Sequence, residues 1–205
     1  MKRALLVLTL AVACTEPTIP GRQSYGFDDG FGGVFHWPAD RLPVRFYIDD
    51  RGPMRTLVSD GLATWEAQFL YGEWRATLEP DSNAADVIVR WSGPVPPNVP
   101  PDPGAPVFAC SGLTQIVIDS ANNAVERPMR VSVNELTGAF TPEQRVACYA
   151  RVLTHEIGHT LGLLQHSTQP DDLMAAQPIV RTPATRDRMT VEVLYHTPPT
   201  IGAPR

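Results

Sequence analysis

The sequence predicts one α+β domain, an α/β-type sandwich in which about five strands share a sheet and two long helices pack against it. Short runs of alternating apolar residues mark the strands, and two longer stretches with apolar residues at helical spacing mark the helices. The order interleaves a strand, a helix, several strands and a second helix.

In Leu42 to Ile48, residues Val44, Phe46 and Ile48 fall on one face, the period of a half-buried strand. From Met54 to Phe69 the apolar positions Met54, Leu57, Val58, Leu62, Trp65 and Phe69 line one side of a helix. A short strand is expected at Arg75 to Leu78, and a stronger one at Ala85 to Trp91. Gly93 to Pro106 holds seven prolines and reads as a stiff surface loop. Leu113 to Ile118 and Met129 to Val133 alternate again and complete the strands. The second helix starts at Thr141 as N-cap, with Pro142 in the first position and Gln144 placed to return the capping bond. Its core face runs Val146, Tyr149, Leu153, Ile157 and Leu161, and Gly162 is expected to end it. Trp65 and Trp91 read as core.

Of 205 residues, 43% are hydrophobic and 19% charged, ordinary for one globular domain. The net charge of −5 and the lack of a Lys/Arg cluster among aromatics argue against nucleic acid as a partner. Lys2 and Arg3 followed by the apolar run Ala4 to Val12 read as an export signal, too short to span a bilayer. Its end, Leu10 to Cys14, resembles a bacterial lipobox, with Ala11 where that pattern carries leucine. Cys14 is thus a lipidation candidate, ordinary cleavage near Ala13 being the alternative, and such an anchor would be the only membrane contact. The division expected is a signal over residues 1–14, a tether over 15–40, a domain over 41–196 and a tail over 197–205. In an exported chain Cys110 and Cys148 are disulfide candidates, and a bond between them would stabilise the fold by up to ~4 kcal/mol. A zinc-thiolate role is the weaker reading, since neither has a CxxC neighbour.

The chemistry is concentrated in His155-Glu156-Ile157-Gly158-His159-Thr160-Leu161-Gly162. Histidines four apart on a helix share one side and can present both imidazoles to one zinc ion. Glu156 follows the first of them, where its carboxylate can act as general base toward a water that zinc activates. Peptide hydrolysis suits this arrangement. A catalytic zinc needs a third protein ligand, and His166 follows the glycine turn.

These residues resemble the metzincin clan of zinc metallopeptidases, and within it the matrixins, whose signature is HExxHxxGxxH followed by a Met-turn. His155, Glu156, His159 and Gly162 match; the third histidine falls at His166, one residue after the expected place, which Gln165 occupies. Leu173-Met174 lies eight residues beyond His166, at the Met-turn spacing of the family, so a one-residue insertion at Leu164 or Gln165 leaves the downstream frame intact. Asp171 and Asp172 are the alternative third ligands. The resemblance implies a twisted, mostly parallel five-stranded sheet with one antiparallel edge strand, assigned to Leu113–Ile118, and a small C-terminal part with a last helix at Thr185–Tyr195. It also implies Met174 as an apolar floor beneath the metal, a substrate paired along the edge strand, and calcium as a structural ion, for which Asp49-Asp50 is the candidate, although that pair reads first as a solvated turn.

His36 and His196 read as solvated loop residues, and Tyr195 as core packing rather than an oxyanion donor. The function expected is an exported, monomeric, zinc-dependent endopeptidase acting on protein or peptide. The alternatives are an inactive zinc-binding lipoprotein of the same fold and a zinc hydrolase of a non-peptide amide.

Overall fold

A computed structural model describes residues 24–202, apart from 94, 97, 103, 105–109 and 135–139. The expected signal, Cys14 and the first part of the expected tether lie outside the described residues. Among those described, no helix is long and apolar enough to cross a membrane.

The elements are β1 (Val44–Ile48), α1 (Met54–Glu66), β2 (Ala76–Leu78), β3 (Val87–Trp91), β4 (Gly112–Gln115), β5 (Ile118–Asp119), β6 (Ala124–Val125), β7 (Met129–Val133), α2 (Pro142–Thr160) and α3 (Thr185–His196). The main sheet has the order β2-β1-β3-β7-β4. Its first three pairings are parallel, and β4 runs antiparallel to β7 at the edge. This is the mostly parallel sheet with one antiparallel edge strand that the motif implied. β3 sits centrally, and Val87, Ile88 and Val89 are all buried, because a central parallel strand is covered on both faces.

Helix α2 begins with the full capping box, Thr141 and Gln144 exchanging bonds behind Pro142. Val146, Tyr149, Leu153, Ile157 and Leu161 are all buried, as their spacing predicted. α1 crosses α2 closely at Gly61, where a Cβ would meet Ile157 Cδ1 at 2.8 Å. The Trp65 indole N–H donates to the Thr154 carbonyl at 2.7 Å, so the two helices are tied by a buried hydrogen bond as well as by packing. Cys110 and Cys148 form a disulfide with Cα atoms 5.9 Å apart, fixing α2 to the chain entering β4.

Four expectations need correction. Residues 24–40 are not a tether: Phe35 and Trp37 are among the most deeply buried side chains, and Tyr25 and Phe27 pack on the same core. The Trp37 indole donates to the Thr160 carbonyl at 2.8 Å, which satisfies an acceptor left free by the end of α2. Nor are residues 197–202 of the expected tail free, since Ile201 is buried and Thr200 and Ile201 donate backbone bonds to the Val34 carbonyl; residues 203–205 lie outside the described residues. The strand expected over Leu113–Ile118 divides, because the chain leaves the main sheet after Gln115 and Ile118 joins a separate hairpin with Val125. Finally, α1 stops at Glu66, short of Phe69, which packs against Trp74 and Tyr195 from the following turn.

If the segment before β1 belongs to the core, Trp37→Ala should lower unfolding free energy by about 3–5 kcal/mol. The 96% exposed Phe31 is the internal control. Denaturant unfolding would read this as a lower midpoint for Trp37→Ala and an unchanged one for Phe31→Ala; equal midpoints would return the segment to a tether.

Candidate active site

The last two turns of α2 carry His155, Glu156 and His159, and the chain turns back at Gly162 to deliver His166. Gly162 has φ 113°, and a Cβ there would collide with the Phe35 carbonyl oxygen. Only glycine satisfies both conditions without strain. The Leu164 N–H then donates to the Phe27 carbonyl at 3.1 Å, and the Gln165 amide donates to Asp28 at 2.9 Å. Gln165 is thereby turned toward the N-terminal segment, and the residue after it faces the helix.

His159 Nε2 lies 3.2 Å from His155 Nε2 and 3.2 Å from His166 Nε2. These three residues form a group whose ligand atoms all lie within 4.8 Å of one another. The proton positions follow from the partners on the other side of two of the rings. His155 Nδ1 faces the Leu173 carbonyl at 2.7 Å, and His159 Nδ1 faces the Leu163 carbonyl at 2.5 Å. A carbonyl only accepts, so both Nδ1 atoms carry protons and both Nε2 atoms present lone pairs. Burial pushes the His155 pKa down to about 4 and that of His159 down to about 3, and it lowers His166 as well. All three rings are neutral at pH 7. Facing lone pairs at this separation repel unless a cation lies between them. Tetrahedral zinc with Zn–N near 2.0–2.1 Å would place its nitrogens about 3.3 Å apart. The donor set therefore fits one zinc ion.

Glu156 is buried beside this cluster. Burial raises its pKa, and the hydrogen bond from Thr114 opposes that shift. The Thr114 hydroxyl, on β4, donates to Glu156 Oε2 at 2.6 Å. Gly112 on the same strand makes room for the carboxylate, because a Cβ there would meet Glu156 Oε1 at 2.6 Å. Two alternate residues of the edge strand thus hold this side chain.

Met174 is fully buried under α2, and a Cβ on Gly158 would run into its sulfur. The turn that carries it is clamped by Asp187, in the first turn of α3. Its carboxylate accepts the backbone N–H of Leu173 at 2.7 Å, of Met174 at 3.2 Å and of Ala184 at 2.7 Å, and the Tyr25 hydroxyl at 2.7 Å. Since Leu173 supplies the carbonyl that orients His155, Asp187 acts on the histidine cluster through one peptide unit.

The remaining sequence candidates lie elsewhere. Asp172 is buried against Ser167 and pairs with Arg186 at 2.9 Å, while Asp171 is exposed. Neither joins the histidine group. Asp49 pairs with Arg51 and Asp50 with Arg55, so both carboxylates of the turn after β1 are engaged by arginines. Tyr195 donates to the Leu161 carbonyl at 3.2 Å, on the packing side of the turn. His196 is exposed as expected, but it is the last residue of α3 rather than a loop residue, and its ring folds back onto the Glu192 carbonyl. His36, expected to be solvated, is half-buried, with Nε2 3.0 Å from the Thr197 carbonyl and its ring on Tyr195.

Sequence reasoning missed Thr114, Gly112, Asp187 and Tyr25. Asp187 had one readable signal, as an acidic residue placed to cap the predicted last helix. Thr114 had none, because its partner is 42 positions away.

A sequence model of the matrixin family matches residues 58–195. No curated protein matches the chain. The matched span runs from α1 to α3 and contains the edge strand, the three histidines and Met174, although the N-terminal segment that packs on the turn lies outside it. On this match, which covers well over half of its length, the chain belongs to the matrixins, a family of zinc metallopeptidases.

Proposed function

We propose that this chain is an exported, monomeric zinc-dependent endopeptidase, with His155, His159 and His166 as the metal ligands and Glu156 as the general base. The observation that carries the reading is the convergence of three imidazole Nε2 atoms next to a buried carboxylate. Zinc held there would supply Lewis acidity toward a water and the scissile carbonyl.

The protein groups divide the remaining work. Glu156 takes a proton from the attacking water and passes it to the amine nitrogen that leaves. Thr114 holds Oε2 so that the carboxylate keeps one orientation. β4 is the last strand of the sheet, so its outer edge has backbone groups with which an extended substrate can pair. Met174 closes the floor beneath the cluster as an apolar packing residue, not as a ligand. Export rests on Lys2, Arg3 and the apolar run to Val12, and a lipid anchor would use Cys14.

Glu156→Gln should retain about one zinc per chain while casein cleavage falls by about 10²-fold or more. Undiminished cleavage would remove Glu156 from the mechanism, and zinc binding without cleavage by the unaltered protein would favour a binding protein instead. His166→Ala should lose zinc measured by metal analysis after dialysis, whereas Gln165→Ala should keep it; the opposite pattern would place the third ligand at Gln165. A metabolic palmitate label on the full chain should vanish in Cys14→Ser. If the unaltered chain takes up no label, it is not lipidated.

A further inference from the structure

The three histidines of the cluster are held in different ways. His155 and His159 stand on the last turns of α2, and each ring has a backbone carbonyl at Nδ1, from Leu173 and Leu163. His166 has neither support. It lies beyond the end of α2, it is exposed, and the one hydrogen-bonding partner of its ring among the described residues is His159. Three residues, Leu163 to Gln165, separate it from Gly162, one more than the family signature has, and a longer loop has more freedom to lose when a metal fixes its end. Contacts that fix the chain beforehand therefore raise metal affinity.

Such contacts flank His166 on both sides. After it, Ser167 is buried and its N–H donates to the Met174 carbonyl at 2.8 Å. Before it, the fixed points come from the segment that precedes β1. The Leu164 N–H donates to the Phe27 carbonyl at 3.1 Å, and Gln165 Nε2 donates to Asp28 Oδ1 at 2.9 Å, across 137 positions of sequence. A bond from an amide to a carboxylate is charge-assisted, and both of these side chains are half-buried. The acceptor is itself held, because the Gly30 N–H donates to the same oxygen at 2.6 Å. Gly26 leaves room for the Gln165 amide, since a Cβ there would meet Gln165 Oε1 at 2.7 Å.

We propose that Asp28 is a positioning residue of the metal site, which through Gln165 fixes the chain that presents His166 and so sets zinc affinity. The inference rests on the reading of His155, His159 and His166 as the zinc ligands. Asp28 acts at one remove, by restricting the residue next to the ligand. It lies before residues 58–195, the span that the family model matches, so the third corner of the site depends on a part of the chain outside that span.

The test uses the full chain and measures zinc affinity by competition with a chelator of known zinc constant. Asp28→Ala and Gln165→Ala should each weaken zinc binding by about 10–100-fold, while both still hold zinc through dialysis. The double variant should bind as tightly as either single variant, because each breaks the same contact. Asp28→Asn keeps a side-chain oxygen that can accept from Gln165, and it should bind zinc as the unaltered chain does. Undiminished affinity in Gln165→Ala would overturn the inference, as would losses that add in the double variant. A loss in Asp28→Asn as large as in Asp28→Ala would do the same, since the contact would then not be what matters. His166→Ala separates the inference from the reading beneath it. If that variant binds zinc as tightly as the unaltered chain, both fall; if it loses zinc while Gln165→Ala keeps full affinity, only the role of Asp28 falls.

Discussion

Helix α2 must stop within a turn of His159 and send the chain back far enough for His166 to face the two histidines it has just passed. Gly162 makes this possible, with its φ of 113° and the Phe35 carbonyl pressed against the place a side chain would occupy. Any other residue would face both left-handed backbone strain and a collision with that carbonyl. The surrounding bonds are arranged about the same point. Trp37 caps the Thr160 carbonyl, Tyr195 the Leu161 carbonyl, and Phe27 receives the Leu164 N–H. Two segments far apart in sequence, residues 24–40 and α3, therefore hold one turn, and the turn sets the third corner of the histidine cluster.

The cluster itself is built to remain neutral. Two of its rings are fixed by backbone carbonyls that accept from Nδ1, and burial keeps protons off the Nε2 atoms that face one another. One of those carbonyls belongs to Leu173, whose own N–H is held by Asp187. Packing of α3 is thus linked to the orientation of His155 through a single turn. On the other side, β4 supplies both the space for Glu156, at Gly112, and its hydrogen bond, from Thr114. The strand suited to pairing with a substrate also sets the position of the carboxylate.

What could be read in advance followed from periodicity and spacing. The faces of α1 and α2, the Thr141 capping box and the pairing of histidines on one helix side depend only on neighbours within a few residues. The disulfide was legible because, once export is expected, the two cysteines beyond Cys14 leave few choices. The family match agrees with the motif reading, and Gln165 is turned away from the histidines onto Asp28. Residues 24–40 were misread because they have glycines and no period, yet Tyr25, Phe27, Phe35 and Trp37 gave a signal in composition: solvated tethers carry few aromatics. Thr114 and Asp187 act on partners that only the folded chain brings near, and no local pattern announces such contacts. The break after Gln115 has a similar origin, since the alternation of Leu113 to Ile118 continues while the pairing partner changes.

The central claim is that His166, despite its displaced position, completes a three-histidine zinc site with His155 and His159. X-ray absorption at the zinc edge, on the zinc-loaded full chain and on His166→Ala, addresses it directly. The account predicts three imidazole nitrogens at about 2.0–2.1 Å in the unaltered protein and the loss of one of them in any metal the variant retains. Two imidazoles in the unaltered protein, or three in His166→Ala, would contradict it.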